Sequence, residues 1–422
     1  MAHTRGVTTA KIYILAGSQT DFARNLAREG TDLSVLVGET VDATLDDAKL
    51  VPSDIGCIHV GNAFGEVFVA QAQLGAMPAT ARPALVGVPA TRHEAACASG
   101  GVAIIAAMAD LEAGRYDMAL VLGVEQERNL SGEAAARAMG SAAWTGHEGQ
   151  GARFLWPAMF ANLAEVYDER WGLDHRHLAA IARKNLSNAK RNSRAQTRGW
   201  TFADAAFSDG WQDDTNPTVE GRLRRLDCAQ ITDGAAAVVL ATADAADAWA
   251  RARGLRLEDL ATISGWGHRT AGLGLAAKLA APSPTGHVFP HLRQAAHDAW
   301  RRAGITGVAD LDLIELHDCF SITEYMVIDH LDITTPGEAW RALEDGRLEL
   351  GGMLPVNPSG GLIGGGHPVG ATGVRMLLDA SRQVTGRAGD MQVEGAKRAA
   401  TLNIGGSATT VVALVVERCE VA

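Results

Sequence analysis

Short runs of β-branched and other apolar residues alternate along the chain with longer stretches whose apolar positions recur every three or four residues. The short runs predict strands at Lys11–Ala16, Gly56–Val60, Met118–Gly123, Ala235–Ala241, Ala261–Trp266, Leu313–Leu316, Arg398–Ile404 and Val411–Glu417. The longer pattern predicts helices at Leu33–Ala48, Gly101–Glu112, His291–Ala303 and Ala371–Val384. Most of the strands are continuously apolar rather than alternating, as in sheets covered on both faces. Strands interleaved with helices give an α/β fold.

The two ends of the chain repeat one another. Pro52-Ser53-Asp54-Ile55-Gly56-Cys57-Ile58-His59-Val60 runs on to Phe64 much as Ala309-Asp310-Leu311-Asp312-Leu313-Ile314-Glu315-Leu316-His317 runs on to Phe320, 256 residues later. Cys97-Ala98-Ser99-Gly100-Gly101 opens one helix and His367-Pro368-Val369-Gly370-Ala371 opens another, each followed by a strand. Two similar halves follow, residues 1–124 with 228–286 and residues 287–422, with 125–227 inserted in the first.

A length of 422 residues, 47% hydrophobic, fits two or three domains with sizeable cores. The net charge of −11 argues against a generic nucleic-acid binder. Within the insert the balance inverts: Arg183, Lys184, Lys190, Arg191, Arg194 and Arg198 fall in a stretch without acidic residues between Asp174 and Asp204. Such a cluster suits phosphates, and equally a solvated helix face. Five cysteines without a CxxC pair argue against a disulfide framework or structural zinc. With no signal-peptide pattern and no apolar run long enough to span a membrane, a cytoplasmic protein is expected.

The 47 glycines concentrate around four segments with chemistry in them. Cys97 precedes an apolar helix, whose N-terminal partial charge favours a thiolate nucleophile; a buried structural cysteine is the alternative. His367 sits among glycines at another helix start, where the cationic form is disfavoured and a neutral, proton-accepting ring results. Glu315-Leu316-His317-Asp318-Cys319-Phe320 leaves a strand with several proton-transferring groups in a row. Asn403-Ile404-Gly405-Gly406-Ser407 ends a strand in a turn whose amides could face an oxyanion, or simply link a hairpin.

In that order, CASGG, HDCF, GGGHPVGATG and NIGGSATT resemble the thiolases, specifically the sterol-carrier-protein-x and archaeal-type branch. Tyr167 to Arg198 is similar to that branch's loop domain, and Asp233-Gly234-Ala235-Ala236-Ala237 to its return into the core. The resemblance implies the thiolase fold, two βαβαβαββ halves in five αβαβα layers with an inserted loop domain covering coenzyme A. It implies Cys97 as nucleophile and His367 as its base, with His367 and His317 at the enolate site. The backbone N–H groups of Cys97 and Gly405 would form the oxyanion hole. Phe320, Asn403, Lys184 and Arg191 would contact substrate. Asn403 stands where most thiolases carry a second catalytic cysteine, and Cys319 is expected to act in its place as acid/base. Trp144, Phe154, Trp156, Met159 and Phe160 could line an acyl pocket, though core packing suits them better. The implied reaction is cleavage of a 3-oxoacyl-CoA by CoA, or the reverse condensation, through an acyl-cysteine. No permanent cofactor or metal is implied, and CoA is a substrate. A homodimer or tetramer, with or without a partner subunit, is expected, without nucleic acid or membrane. A retro-aldolase or synthase on the same fold and a CoA-binding scaffold are the alternatives.

Overall fold

The computed structural model describes residues 11–208 and 214–418; Cys419 lies outside them. Nine strands form one mixed sheet: β1 (Ile12–Gln19), β2 (Cys57–Gly61), β3 (Ala90–His93), β4 (Met118–Glu125), β5 (Gly234–Ala241), β6 (Ala261–Thr270), β7 (Leu313–Leu316), β8 (Arg398–Gly405) and β9 (Thr410–Arg418). Their order is β3-β2-β4-β5-β1-β6-β9-β8-β7. All eight strands expected from the pattern are present. The edge strand β3, four residues and half-exposed, carried no apolar run to reveal it.

The sheet is two copies of one arrangement. β2 runs parallel to β4, which pairs antiparallel with β5, and β5 pairs antiparallel with β1. Likewise β7 runs parallel to β8, which pairs antiparallel with β9, and β9 with β6. The halves join through a short antiparallel contact between β1 and β6. Cys57 faces Ala119 in one half and Leu313 faces Ala399 in the other. This register makes Gly61 the counterpart of His317, Ala63 of Cys319, Gly123 of Asn403 and Glu125 of Gly405.

The main helices are α1 (Leu33–Ala48), α2 (Ser99–Glu112), α3 (Leu155–Trp171), α4 (His175–Ala189), α5 (Pro290–Ala303), α6 (Ser321–His330), α7 (Gly361–Gly365) and α8 (Thr372–Val384). Successive strand residues point to opposite faces, so Val121 enters the core shared with α2 and α8 while Leu120 packs toward α1. The core around α2 and α8 draws strand residues from both halves, placing these two helices between the two sheet regions. With α1 outside one region and α5 and α6 outside the other, the layers run αβαβα. Burial on both faces is why the strands read as unbroken apolar runs.

Between β4 and β5 the chain leaves the sheet. Its helices α3 and α4 share a core with the C-terminal half: Phe160 stacks on Phe320 with ring centroids 4.5 Å apart. The Tyr167 hydroxyl donates to Asp329 at 2.7 Å. Met159 and Phe160 are thus core residues, whereas Trp144 is 47% exposed. The periodicity did not reveal α6, because all ten of its residues are buried and no polar face marks its turns. Among the described residues no helix is long and apolar enough to cross a membrane.

Candidate active site

Cys97 lies on a tight turn ahead of α2. Ala96 adopts φ 49°, a left-handed conformation that costs a non-glycine residue free energy and here aims the next side chain. Ser99 fixes the turn, accepting from the Ala95 amide at 2.9 Å and donating to the Ala96 carbonyl at 2.6 Å. The cysteine remains half-buried, within reach of a ligand. Burial first, and the negative charge of Glu127 second, push its thiol up to about 12. The amides of Gly406 and of Cys97 itself oppose that shift by facing the sulfur. The amide at the sulfur is Gly406's, next to Gly405, whose own amide the motif assigns to the oxyanion. Gly405 matters for its lack of a side chain. A Cβ there would lie 2.2 Å from the Ala95 carbonyl, so only glycine lets the Cys97 loop close onto the end of β8.

His367 is delivered by the turn between α7 and α8. Its backbone N–H donates to Thr232 Oγ1 at 2.9 Å, and its Nδ1 lies 2.7 Å from Thr372 Oγ1. Thr372 already donates its hydroxyl proton to the Pro368 carbonyl at 3.0 Å. It must therefore accept from Nδ1–H, which leaves Nε2 as a buried lone pair with no hydrogen-bond partner. Burial, then the Arg375 charge, lower this histidine to about 3, so the ring stays neutral. One ring nitrogen from each of His317 and His367 lies with Cys97 Sγ in a cluster whose atoms are all within 4.8 Å of one another.

His317, Asp318 and Cys319 follow β7. The rings of His317 and His367 meet edge to face at 5.2 Å. Asn403 Nδ2 lies 3.3 Å from His317 Nδ1 and donates to the Cys97 carbonyl at 2.9 Å. That donor makes Nδ1 the acceptor and puts the His317 proton on Nε2. Burial and the neighbouring His367 hold His317 well below its ordinary value. Cys319 is buried, 3.6 Å from the Thr323 hydroxyl, and close enough to Cys97 that a charge on either sulfur disfavours one on the other. Burial keeps its thiol protonated. Asp318 accepts from the Leu362 and Ile363 amides at 2.6 and 3.2 Å, tying α7 to the end of β7. Phe320 packs into the core on Phe160.

Two buried carboxyl groups escaped the motif reading, because nothing beside them in sequence marks their role. Glu125, the last residue of β4, receives Asn62 Nδ2 at 2.7 Å and the amides of Ala63, Phe64 and Gly370 at 2.9–3.0 Å. It joins the exit of β2 to the loop after His367. Glu127, 1% exposed, is raised well above the carboxylate range by burial and the neighbouring Glu125 charge, against the pull of the Thr232 and Val369 amides.

The basic cluster divides. Lys184 is 4% exposed and pairs with Glu324 at 3.0 Å while donating to Asn185 and to the Val356 carbonyl. Its charge is spent inside the fold, which corrects the expectation that it meets a ligand phosphate. Arg198 pairs with Asp21 and Arg183 with Asp204. Lys190, Arg191 and Arg194 remain exposed just beyond α4. A cavity of about 350 Å³ opens beside the nucleophile loop, lined by Phe64, Ala95, Ala96, Ala142, Gly405 and Gly406 among others. Trp156 reaches this region, its ring edge 3.7 Å from where a Cβ on Gly406 would lie.

Residues 12–202 match the family model for the N-terminal domain of thiolase, and residues 281–418 match the model for a thiolase C-terminal domain-like region. An acetyl-CoA acetyltransferase of Methanothermobacter thermautotrophicus is 32% identical over 402 residues, covering 94% of this chain and 97% of the relative. Among solved structures, an Ltp2-ChsH2(DUF35) aldolase aligns over 99% of this chain and 100% of its own, with TM-score 0.76 and 21% identity. Human mitochondrial 3-ketoacyl-CoA thiolase aligns over 98% of this chain and 100% of its own, with TM-score 0.68 and 16% identity. At those identities the structures speak for the fold alone. With both family models matched and an archaeal relative aligned from end to end, the chain belongs to the thiolase family.

Proposed function

We propose that the protein cleaves 3-oxoacyl-CoA with CoA into acyl-CoA and acetyl-CoA, or runs the reverse condensation, through an acyl group carried on Cys97. The observation that carries this reading is the cluster of Cys97 Sγ with ring nitrogens of His317 and His367, beside a second buried thiol. His367 Nε2, a neutral lone pair, takes the Cys97 proton as sulfur attacks the C3 carbonyl. The oxyanion formed there is met by the amides facing the sulfur, those of Cys97 and of Gly406 or Gly405. Collapse breaks the C2–C3 bond and leaves the acyl group on sulfur. The electron pair passes to C2 of the departing acetyl-CoA enolate, whose oxygen His317 Nε2–H can meet. Cys319 gives C2 its proton. CoA thiol then takes the acyl group, and its proton together with the one held on His367 restores Cys97 and Cys319.

Lys190, Arg191 and Arg194 supply positive charge for the CoA phosphates, and the cavity beside Ala95 and Gly406 accommodates the acyl or pantetheine part. The protein works in the cytoplasm as a homo-oligomer or with a partner subunit; the structural relative named as an Ltp2-ChsH2(DUF35) pair supports the latter. The test supplies a 3-oxoacyl-CoA and CoA and looks for acyl-Cys97 by peptide mass spectrometry together with acetyl-CoA release. Carbon–carbon cleavage without acyl-Cys97 would replace this reading by a retro-aldolase. Absence of both would leave a CoA-binding scaffold.

A further inference from the structure

Away from the catalytic cluster, the opposite end of α2 carries a second group of ligating side chains. Cys57 and His59 stand two apart on β2, so both side chains leave the same face of the strand. That face packs on α2, whose last turn presents Asp110. Cys57 Sγ lies 3.6 Å from His59 Nε2, and His59 Nε2 lies 3.3 Å from Asp110 Oδ2. The three donor atoms all fall within 4.8 Å of one another. Zinc-type bonds of about 2.0–2.3 Å at tetrahedral angles place ligand atoms roughly 3.3–3.7 Å apart. Both measured edges fall in that window.

The surroundings supply the supports such a site needs. His59 Nδ1 sits 2.9 Å from His93 Nε2, and the two rings stack. With Nδ1–H donating to His93, the His59 Nε2 lone pair would face a cation, the outer contact that metal-bound histidines ordinarily have. Arg115 donates to Asp110 Oδ1 at 2.9 Å, leaving Oδ2 for the cluster. Asp110 also lies near the C-terminus of α2, where the helix dipole disfavours a carboxylate and a bound cation would offset that cost. Its side chain is 23% exposed, which gives an entry path, while Cys57 and His59 are 3% and 4% exposed.

We propose that Cys57, His59 and Asp110 form a binding site for a single divalent transition-metal ion of the zinc class, with one position left for water. Burial pushes the Cys57 thiol up to about 12, so in the metal-free protein the sulfur keeps its proton. Metal binding releases that one proton, and the remaining His59 proton resides on Nδ1, shared with His93. The site is separate from the Cys97 chemistry and does not depend on the reaction assigned there.

The test titrates chelator-treated full-length protein with Co²⁺, in a Cys97→Ser/Cys319→Ala background so that the catalytic cluster offers no thiolate. The expected result is one equivalent bound, with a thiolate-to-cobalt charge-transfer band that Zn²⁺ displaces. Cys57→Ser should abolish the band, and Asp110→Asn should weaken binding by at least 10-fold. His93→Gln should weaken it about 10- to 100-fold while keeping the band. Asp110 and His93 are only partly buried, so these variants report on the site if Cys57→Ser fails to fold. Absence of the band, or a band unaffected by Asp110→Asn and His93→Gln, would overturn the proposal.

Discussion

The exits of β2 and β7 occupy equivalent places in the two halves, yet one carries Gly61-Asn62-Ala63 and the other His317-Asp318-Cys319. At the first exit, side chains are small because backbone must come close. A Cβ on Gly61 would lie 2.8 Å from Gly100, and one on Gly370 would lie 2.6 Å from the Gly61 carbonyl. At the second exit those positions hold an imidazole and a thiol aimed at the site. The ends of β4 and β8 reverse the pattern. Glu125 fills its half with a carboxylate that gathers amides from across the molecule, and Gly405 empties the equivalent place so that the Cys97 turn can enter. A duplicated frame thus points two loops at one another. Divergence places Cys97, the proposed nucleophile, in one half and the proposed proton-handling groups, on the β7 exit and the turn before α8, in the other.

Replacing groups on either side of this division should have graded effects. Cys97→Ala removes the sole side chain proposed for covalent chemistry and should cut turnover by at least about 10⁴-fold in a steady-state cleavage assay. His367→Asn, in the other half, should cost about 10²–10⁴-fold. Because His367 is lowered to about 3, it holds no proton between pH 8 and 5, and the acylation rate it supports should not fall across that interval. A loss centred near 6.5 in rapid-quench measurements would mark an ordinary histidine instead. Conversely, with Cys97 pushed up to about 12, its alkylation by iodoacetamide should keep rising with pH beyond 8.5 rather than level off. Gly405→Ala forces a Cβ toward the Ala95 carbonyl; the displaced nucleophile should lower kcat about 10- to 100-fold while the chain still folds.

The smallest catalytic effects separate two basic residues that look alike in sequence. Arg191→Ala should raise the KM for CoA about 2- to 5-fold, the scale of one exposed charge. Lys184→Met should leave that KM alone but destabilise the fold by about 3–5 kcal/mol in denaturant titration, because it strands the buried Glu324.

That pair also marks the limit of what the sequence reveals. Strands, the repeat and the four glycine-rich segments were legible because their signals are local: apolar runs, a fixed offset, small residues beside a Cys or His. The motif order likewise singled out Cys97, His317 and His367. Lys184 could not be separated from its basic neighbours, since the decisive partner, Glu324, lies 140 residues away on α6. Glu125 and Glu127 were invisible for the same reason: their partners and neighbours come from the β2 exit, from residues 232–233 and from the loop after His367. That the Gly406 amide faces the sulfur is a matter of turn geometry, which a motif does not encode.

The division of labour between the two halves is tested most directly by incubating the Cys319→Ala protein with C2-deuterated acetyl-CoA in ordinary water. Acetylation of Cys97 and loss of deuterium from C2 are followed together by mass spectrometry. The account predicts acetyl-Cys97 forming at close to the unsubstituted rate, with deuterium washout reduced at least about 10²-fold. Washout at the unsubstituted rate would contradict it, and would take the acid/base role away from the thiol that follows His317.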